Sequence, residues 1–123
     1  MENERVILEA EYRKNEGIAK EAFRGGQDLF PIMADALFKK GNIANILYER
    51  TGQVEWDLKA YGAFNAAGGA FEAIGSYPIA SQAYKLALLS CRRLAEGRSS
   101  GWEKNINHLE KLINQLEEVL NRS

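Results

Sequence analysis

The residues best equipped for chemistry in this chain are its one histidine, His108, and its one cysteine, Cys91. An imidazole titrates near neutrality and can act as general base or metal ligand. A thiolate can act as nucleophile or ligand. Both roles require suitable neighbours. His108 stands beside Asn107, between Ile106 and Leu109, with no cysteine and no spaced carboxylate partner, so it reads as a surface or boundary residue. Cys91 is followed by Arg92 and Arg93, which would favour a thiolate if they shared its side of a helix. Successive helical residues point in different directions, so Cys91 reads instead as a small core residue. No Glu-x-x-His pair exists to support a di-iron carboxylate bundle. The Gly-Gly pairs at Gly25 and Gly68 lack the Lys and Ser/Thr of a phosphate loop, and no serine sits in a nucleophile elbow. The expectation is a protein that is not an enzyme, with no catalytic residue, no metal ligand and no cofactor.

The elements that carry these residues are helices. A chain of 123 residues, 46% apolar and 27% charged, is long enough to bury a core and is expected to form one domain over 1–123. Its two prolines, Pro31 and Pro78, both suit first turns of helices, and no alternating β-branched runs with hairpin turns occur. The expected class is all-α. A net charge of −1 argues against a general attraction to nucleic acid or anionic membrane. The lone cysteine fits a reducing cytoplasm, and the opening MENERVILEAEYRK is too charged for a signal peptide. Residues 60–80 carry only the charge of Glu72 and approach the length of a bilayer span. Their Ala and Gly contribute little transfer energy, however, and Gly75, Ser76 and Pro78 interrupt them, so a tightly packed hairpin in water is expected there.

Periodicity and breakers predict six helical stretches. The first runs from about Asn3 to Phe23, with Val6, Ile7, Ala10, Ala19, Ala22 and Phe23 among many charges, and Gly25 and Gly26 break it. Asp28 reads as N-cap of a second helix through Lys40, stopped by Gly41. A third spans Asn42 to Arg50, ended by Thr51 and Gly52. The fourth runs from Val54 to Ile74 or divides near Gly62. The fifth runs from Tyr77 to Glu96, before the loop Gly97–Gly101.

Phe64 to Leu88 holds the most specific pattern. Phe64, Ala67, Gly68 and Phe71 make one helical face, and the small pair leaves room for close approach of a neighbour. Gly75 ends that helix in the left-handed C′ conformation, Ser76 opens the next, and Pro78 is tolerated in its first turn. Ala80, Tyr84, Ala87 and Leu88 form the inward face of the second helix. This order of large, small and turn residues resembles a tetratricopeptide repeat, a helical hairpin with a period of roughly 34 residues. One period upstream, Phe30, Ala34, Leu37 and Gly41 again match the first helix of a unit. The pattern departs at Arg50 and Gln53, at Arg92 where a Pro is usual, and everywhere downstream. The resemblance implies stacked hairpins that bind a protein or peptide in a groove lined by first helices, where Asn65, Gly69 and Glu72 would lie. Repeats that clamp a C-terminal carboxylate carry Lys and Asn at two such positions; Asn65 and Gly69 stand there instead, so a clamp is not implied. Outside the repeat frame, Trp56 and Phe38 read either as interface anchors or as core aromatics between helices.

The last helix starts at Ser100-Gly-Trp-Glu103, which reads as a capping box. Trp102, Ile106, Leu109, Ile113, Leu116 and Val119 or Leu120 follow at alternating helical spacing, widened by Leu112. This amphipathic helix is expected to cap the stack by packing on the fifth stretch, against Leu86, Leu89 and the stem of Arg93. The rival expectation is a coiled-coil seam that joins two copies into a homodimer.

Lys85, Arg92, Arg93 and Arg98 concentrate basic charge near the end of the fifth stretch. The pattern bears a likeness to HEPN helical bundles, whose nucleases place a His shortly after an Arg. Here Arg98 and His108 are ten residues apart, so that activity is not implied. Three functions stand at this level. The leading one is an adaptor or assembly subunit. The others are a helical subunit of a toxin–antitoxin or CRISPR-type nucleoprotein complex, and a self-assembling helical dimer.

Overall fold

The computed structural model describes residues 2–98 and 101–122. They form five α-helices: α1 (Glu2–Arg24), α2 (Phe30–Thr51), α3 (Val54–Ala73), α4 (Tyr77–Arg98) and α5 (Glu103–Asn121). A short 3₁₀ turn, Gln27–Leu29, precedes α2. Among the described residues there is no strand, as the all-α expectation required.

Two expected boundaries fall elsewhere. Gly41 does not stop a helix, for α2 runs unbroken through it. Its missing side chain serves packing instead: a Cβ built there would lie 2.7 Å from Cδ1 of Phe64, whose ring rests on the bare backbone. The second and third predicted stretches are therefore one helix. Asp28 does not cap it, because Asp28 lies within the 3₁₀ turn and Leu29 occupies the N-cap with no side-chain hydrogen bond. Pro31 does sit in the first turn of α2. Gly62 leaves α3 undivided. The expected capping box does not form in that register: Trp102 occupies the N-cap of α5 with no side-chain cap bond, Glu103 is its first residue and accepts from the Gly101 amide at 3.4 Å, and the Ser100 hydroxyl lies outside the described residues.

The turn between α3 and α4 forms as the sequence predicts. Gly75 adopts φ +80°, the left-handed region open to glycine at little cost. The Ser76 amide donates to the Phe71 carbonyl at 2.9 Å and the Gly75 amide to that of Glu72 at 3.0 Å, the paired bonds of a Schellman motif. The Ser76 carbonyl then accepts from the Ala80 amide at 3.0 Å, opening α4.

Each helix packs chiefly on its neighbours in sequence. Helices two apart also touch. The Tyr12 ring of α1 meets Trp56 of α3 edge to face at 5.4 Å, and Tyr61 of α3 meets Trp102, just before α5, at 5.5 Å. Arg93 of α4 reaches Asn45 of α2 at 2.7 Å. The odd-numbered helices thus make one layer and α2 and α4 the other. Alanines line the interfaces: Ala34, Ala44, Ala60, Ala67, Ala80 and Ala87 are fully buried. A second ring seat repeats the first, for a Cβ at Gly68 would come within 2.6 Å of Cδ1 of Tyr84.

Helix α5 packs on α4 through Leu109, Ile113 and Leu116, all buried. The face of α4 that meets it is not the expected one. Lys85 pairs with Glu117 at 2.8 Å and Arg92 with Glu110 at 2.7 Å, and Leu88, between them on α4, lines a shared hollow with Ile113. Leu89 is more than half exposed, and Arg93 turns toward α3.

Candidate functional site

Between α1 and α3, with α2 as its floor, lies an open cavity of about 520 Å³. Helices α1 and α3 touch through the rings of Tyr12 and Trp56, and the cavity lies beyond that contact. Its lining is mostly apolar: Ala19 and Phe23 from α1, Met33 and Leu37 from α2, Ala66 and Gly69 from α3. The small residues on α1 and α3 create the hollow, since no side chain from either wall fills it. Phe23 is 66% exposed, an unusual setting for an aromatic side chain, and stands on the wall. Lys20, Arg24, Lys40 and Glu16 also line the cavity. Lys40 is engaged, 3.5 Å from Glu16 and over the Tyr12 ring at 5.3 Å. Among the described residues, neither Lys20 nor Arg24 enters an ion pair.

Of the residues expected at a binding surface, Gly69 lines this cavity. Asn65, one turn earlier on α3, is half-buried. Glu72 is half-buried and accepts a 2.9 Å hydrogen bond from the Tyr84 hydroxyl. Burial of the ring, with that bond to the Glu72 carboxylate, holds the Tyr84 phenol well above its ordinary pKa. Trp56 and Phe38 are half-buried and pack on the core, Trp56 against Tyr12 and Phe38 against the rings of Phe64 and Phe71 at 5.7 and 6.1 Å.

A polar cluster lies elsewhere, where α2, α3 and α4 meet. Asp57 is 1% exposed and receives two bonds from Arg93, Nη2 to Oδ1 at 2.7 Å and Nε to Oδ2 at 3.2 Å. The same guanidinium donates to Asn45 Oδ1 at 2.7 Å and to Ser90 Oγ at 3.3 Å, and lies 4.7 Å above the Tyr48 ring. Bonding to Asp57 raises the Arg93 pKa further above its usual value. With every charge matched, the cluster ties three helices together and has no open position for a reactant. The sequence did carry one signal for it. Asp57 stands one heptad before Phe64 and two before Phe71, a carboxylate in the core stripe of α3.

The remaining chemical candidates are placed plainly. Cys91 is fully buried, and desolvation pushes its thiol pKa up, away from thiolate reactivity. His108 is exposed on α5. Among the described residues, no three His, Cys, Asp or Glu side chains form a group able to hold a metal ion. None of the described helices is long and apolar enough to cross a membrane. Lys85, Arg92 and Arg93, three of the basic residues noted in the sequence, are each paired with a carboxylate.

Fold and site together define an all-α chain, with five α-helices among the described residues and an apolar, cation-rimmed groove. Compared with protein-family models, with curated proteins and with solved structures, the chain matches none.

Proposed function

We propose that this protein is a non-enzymatic interaction module, an adaptor or assembly subunit that takes a protein or peptide partner in the groove between α1 and α3. The observation that carries the reading is the groove itself: about 520 Å³ of mostly apolar space held open by small residues, with the exposed Phe23 on its wall. A cleft of this size lined this way is a usual form of binding site. An exposed apolar surface on a folded chain marks an interaction site more often than an accident of packing. The sequential packing of the helices supports a stack of helical hairpins, of which only α3–α4 keeps the tetratricopeptide-like pattern: Phe30 and Phe64, one repeat period apart, fall on α2 and α3, and the expected upstream hairpin is a single helix. A buried, unpaired thiol fits a reducing cytoplasm. A nucleoprotein role has less support, because phosphate binding needs free cations and three of those on α4 are already neutralised. Self-assembly through α5 has less support as well, since the core of its apolar stripe is spent on α4.

Gly69 provides the test. A Cβ built there meets nothing closer than the Tyr84 hydroxyl at 3.9 Å, so Gly69→Leu puts a side chain into the groove without overpacking the core. The variant should match the native protein in circular dichroism with a thermal midpoint no lower than native, yet fail to retain the partner that the native protein captures from native extract. Equal retention of the same partner by both forms would refute the groove as the binding site.

A further inference from the structure

The lining of the groove restricts what can occupy it. Its walls and floor are helical: the second half of α1, the first half of α2 and the second half of α3, with backbone groups bonded within each helix and, at the α1–α2 junction, across the turn, the Gly25 amide to the Glu21 and Ala22 carbonyls and the Phe30 amide to the Gln27 carbonyl. An extended peptide laid along Ala19, Met33, Leu37, Ala66, Gly69 and Ala70 would find no strand edge to pair with, and its amides and carbonyls would be left unpaired against apolar surface at a cost of about 1–3 kcal/mol each. A helical peptide brings its backbone bonds already made and offers an apolar stripe to the floor. The segment from Glu16 to Arg24 is about 12 Å long at the rise of an α-helix, room for roughly two turns of a partner helix.

The charge on the rim restricts it further. Lys20 and Arg24 stand one turn apart on the α1 wall, and the one carboxylate lining the groove, Glu16, a turn before Lys20, is paired with Lys40 at 3.5 Å, so the lining keeps a surplus of two cations. Like charges at that spacing repel, an arrangement that an anionic occupant relieves. The α3 wall contributes Ala66, Gly69 and Ala70, with no charge, and the nearby Glu72 is bonded to Tyr84. The field over the groove is therefore positive on one side and neutral on the other.

We infer that the groove receives an acidic amphipathic helix, its apolar side chains packed against Ala19, Met33, Leu37 and Gly69 and its carboxylates along Lys20 and Arg24. This deepens the proposed function and rests on the groove being a binding site. Contacts with Lys20 and Arg24 are rim contacts, so they set salt dependence and partner choice more than total affinity.

Selection from a displayed library of random peptides of roughly sixteen residues, about four helical turns, tests both levels. The full chain is the bait, and the Gly69→Leu variant removes peptides that bind elsewhere. Enriched peptides should carry large apolar residues at i, i+3, i+4 and i+7 with an excess of Asp and Glu. For the best synthetic peptide, Lys20→Glu with Arg24→Glu should weaken binding about tenfold at 0.05 M salt or so, a difference that shrinks to about threefold or less near 0.5 M. Enrichment of basic, uncharged or proline-rich extended peptides, or indifference to the charge reversal, overturns the acidic-helix inference and leaves the groove standing. If no selected peptide distinguishes the native chain from Gly69→Leu, the groove reading falls and this inference with it. Saturable binding of dodecanoate, which the Leu variant abolishes, in place of any peptide would show that the groove holds an amphiphile and would overturn the inference too.

Discussion

Gly41 offers a sharp test of how these helices are packed. Replacing a mid-helix glycine by alanine ordinarily stabilises a protein by up to about 1 kcal/mol, because glycine loses more backbone freedom on folding. At Gly41 the new methyl group would fall 2.7, 2.8 and 3.0 Å from three carbons of the Phe64 ring, where about 3.5–4.0 Å is needed. The ring cannot readily retreat, being 1% exposed and held edge to face by Phe38 at 5.7 Å. Overpacking of this kind costs about 1–3 kcal/mol, so the steric loss outweighs the propensity gain. Gly62 on α3 is the control, since a Cβ there meets nothing within 4 Å. Gly41→Ala should lower the urea midpoint and Gly62→Ala should raise it, with m unchanged in both and the two separated by about 1–3 kcal/mol. A double variant, Gly41→Ala with Phe64→Leu, should recover part of the loss as a coupling term. If Gly41→Ala stabilises as much as Gly62→Ala, Phe64 is not seated on that glycine and the α2–α3 packing described above is wrong.

Three further outcomes are expected. Arg93→Ala strands the buried Asp57 carboxylate and should destabilise by about 2–4 kcal/mol, while Asp57→Ala with Arg93→Ala should cost less than the two single changes summed, as read by denaturant melts. Burial, with the Glu16 carboxylate nearby, pushes the Tyr12 hydroxyl pKa up to about 12, whereas the unfolded chain releases that proton near 10. The unfolded state is thus favoured as pH climbs through that window, and the native protein should lose up to about 2–3 kcal/mol between pH 10 and 12 that Tyr12→Phe does not lose; superimposable alkaline stability curves would refute this. Deleting residues 101–123 uncovers Leu88 and the α4 surface beneath Leu109, Ile113 and Leu116, so the truncated chain should aggregate or unfold in sedimentation and circular dichroism. A soluble, well-folded monomer would instead show that α5 is not needed to cover α4.

The sequence made the local features legible and left the long-range ones hidden. The Gly75 turn could be read because one residue type and its neighbours determine a Schellman motif. The stripe of α5 could be read because a single amphipathic face repeats over the whole helix. Gly41 was misread because a glycine in an apolar helix has two meanings, breaker or seat for a ring, and only the partner 23 residues away decides between them. Arg93 was assigned to the wrong face of α4 because Asp57, 36 positions earlier, draws it toward α3. The groove was legible only at Gly69. Its other walls come from Ala19, Met33 and Ala66, which look in sequence like ordinary core residues and line an opening only because α1 and α3 do not close over α2 there.

The position of α1 at the edge of the stack has an energetic consequence. The middle helices are fastened by two ring seats and the Arg93 cluster, whereas α1 is held by small residues, Ala19 and Ala22, and by Tyr12. Its outer surface exposes Val6 and Ile7, each more than 60% accessible. Cohesion is therefore unequal, and α1, an edge helix as α5 is, should open locally while α2 to α4 stay intact. Native-state hydrogen exchange would register this as early loss of protection over residues 5–24. Because α1 is also one wall of the groove, a ligand there would do more than fill space. It would trade part of its contact energy for the ordering of that wall, and exchange in α1 would slow on binding with little change in the mean structure.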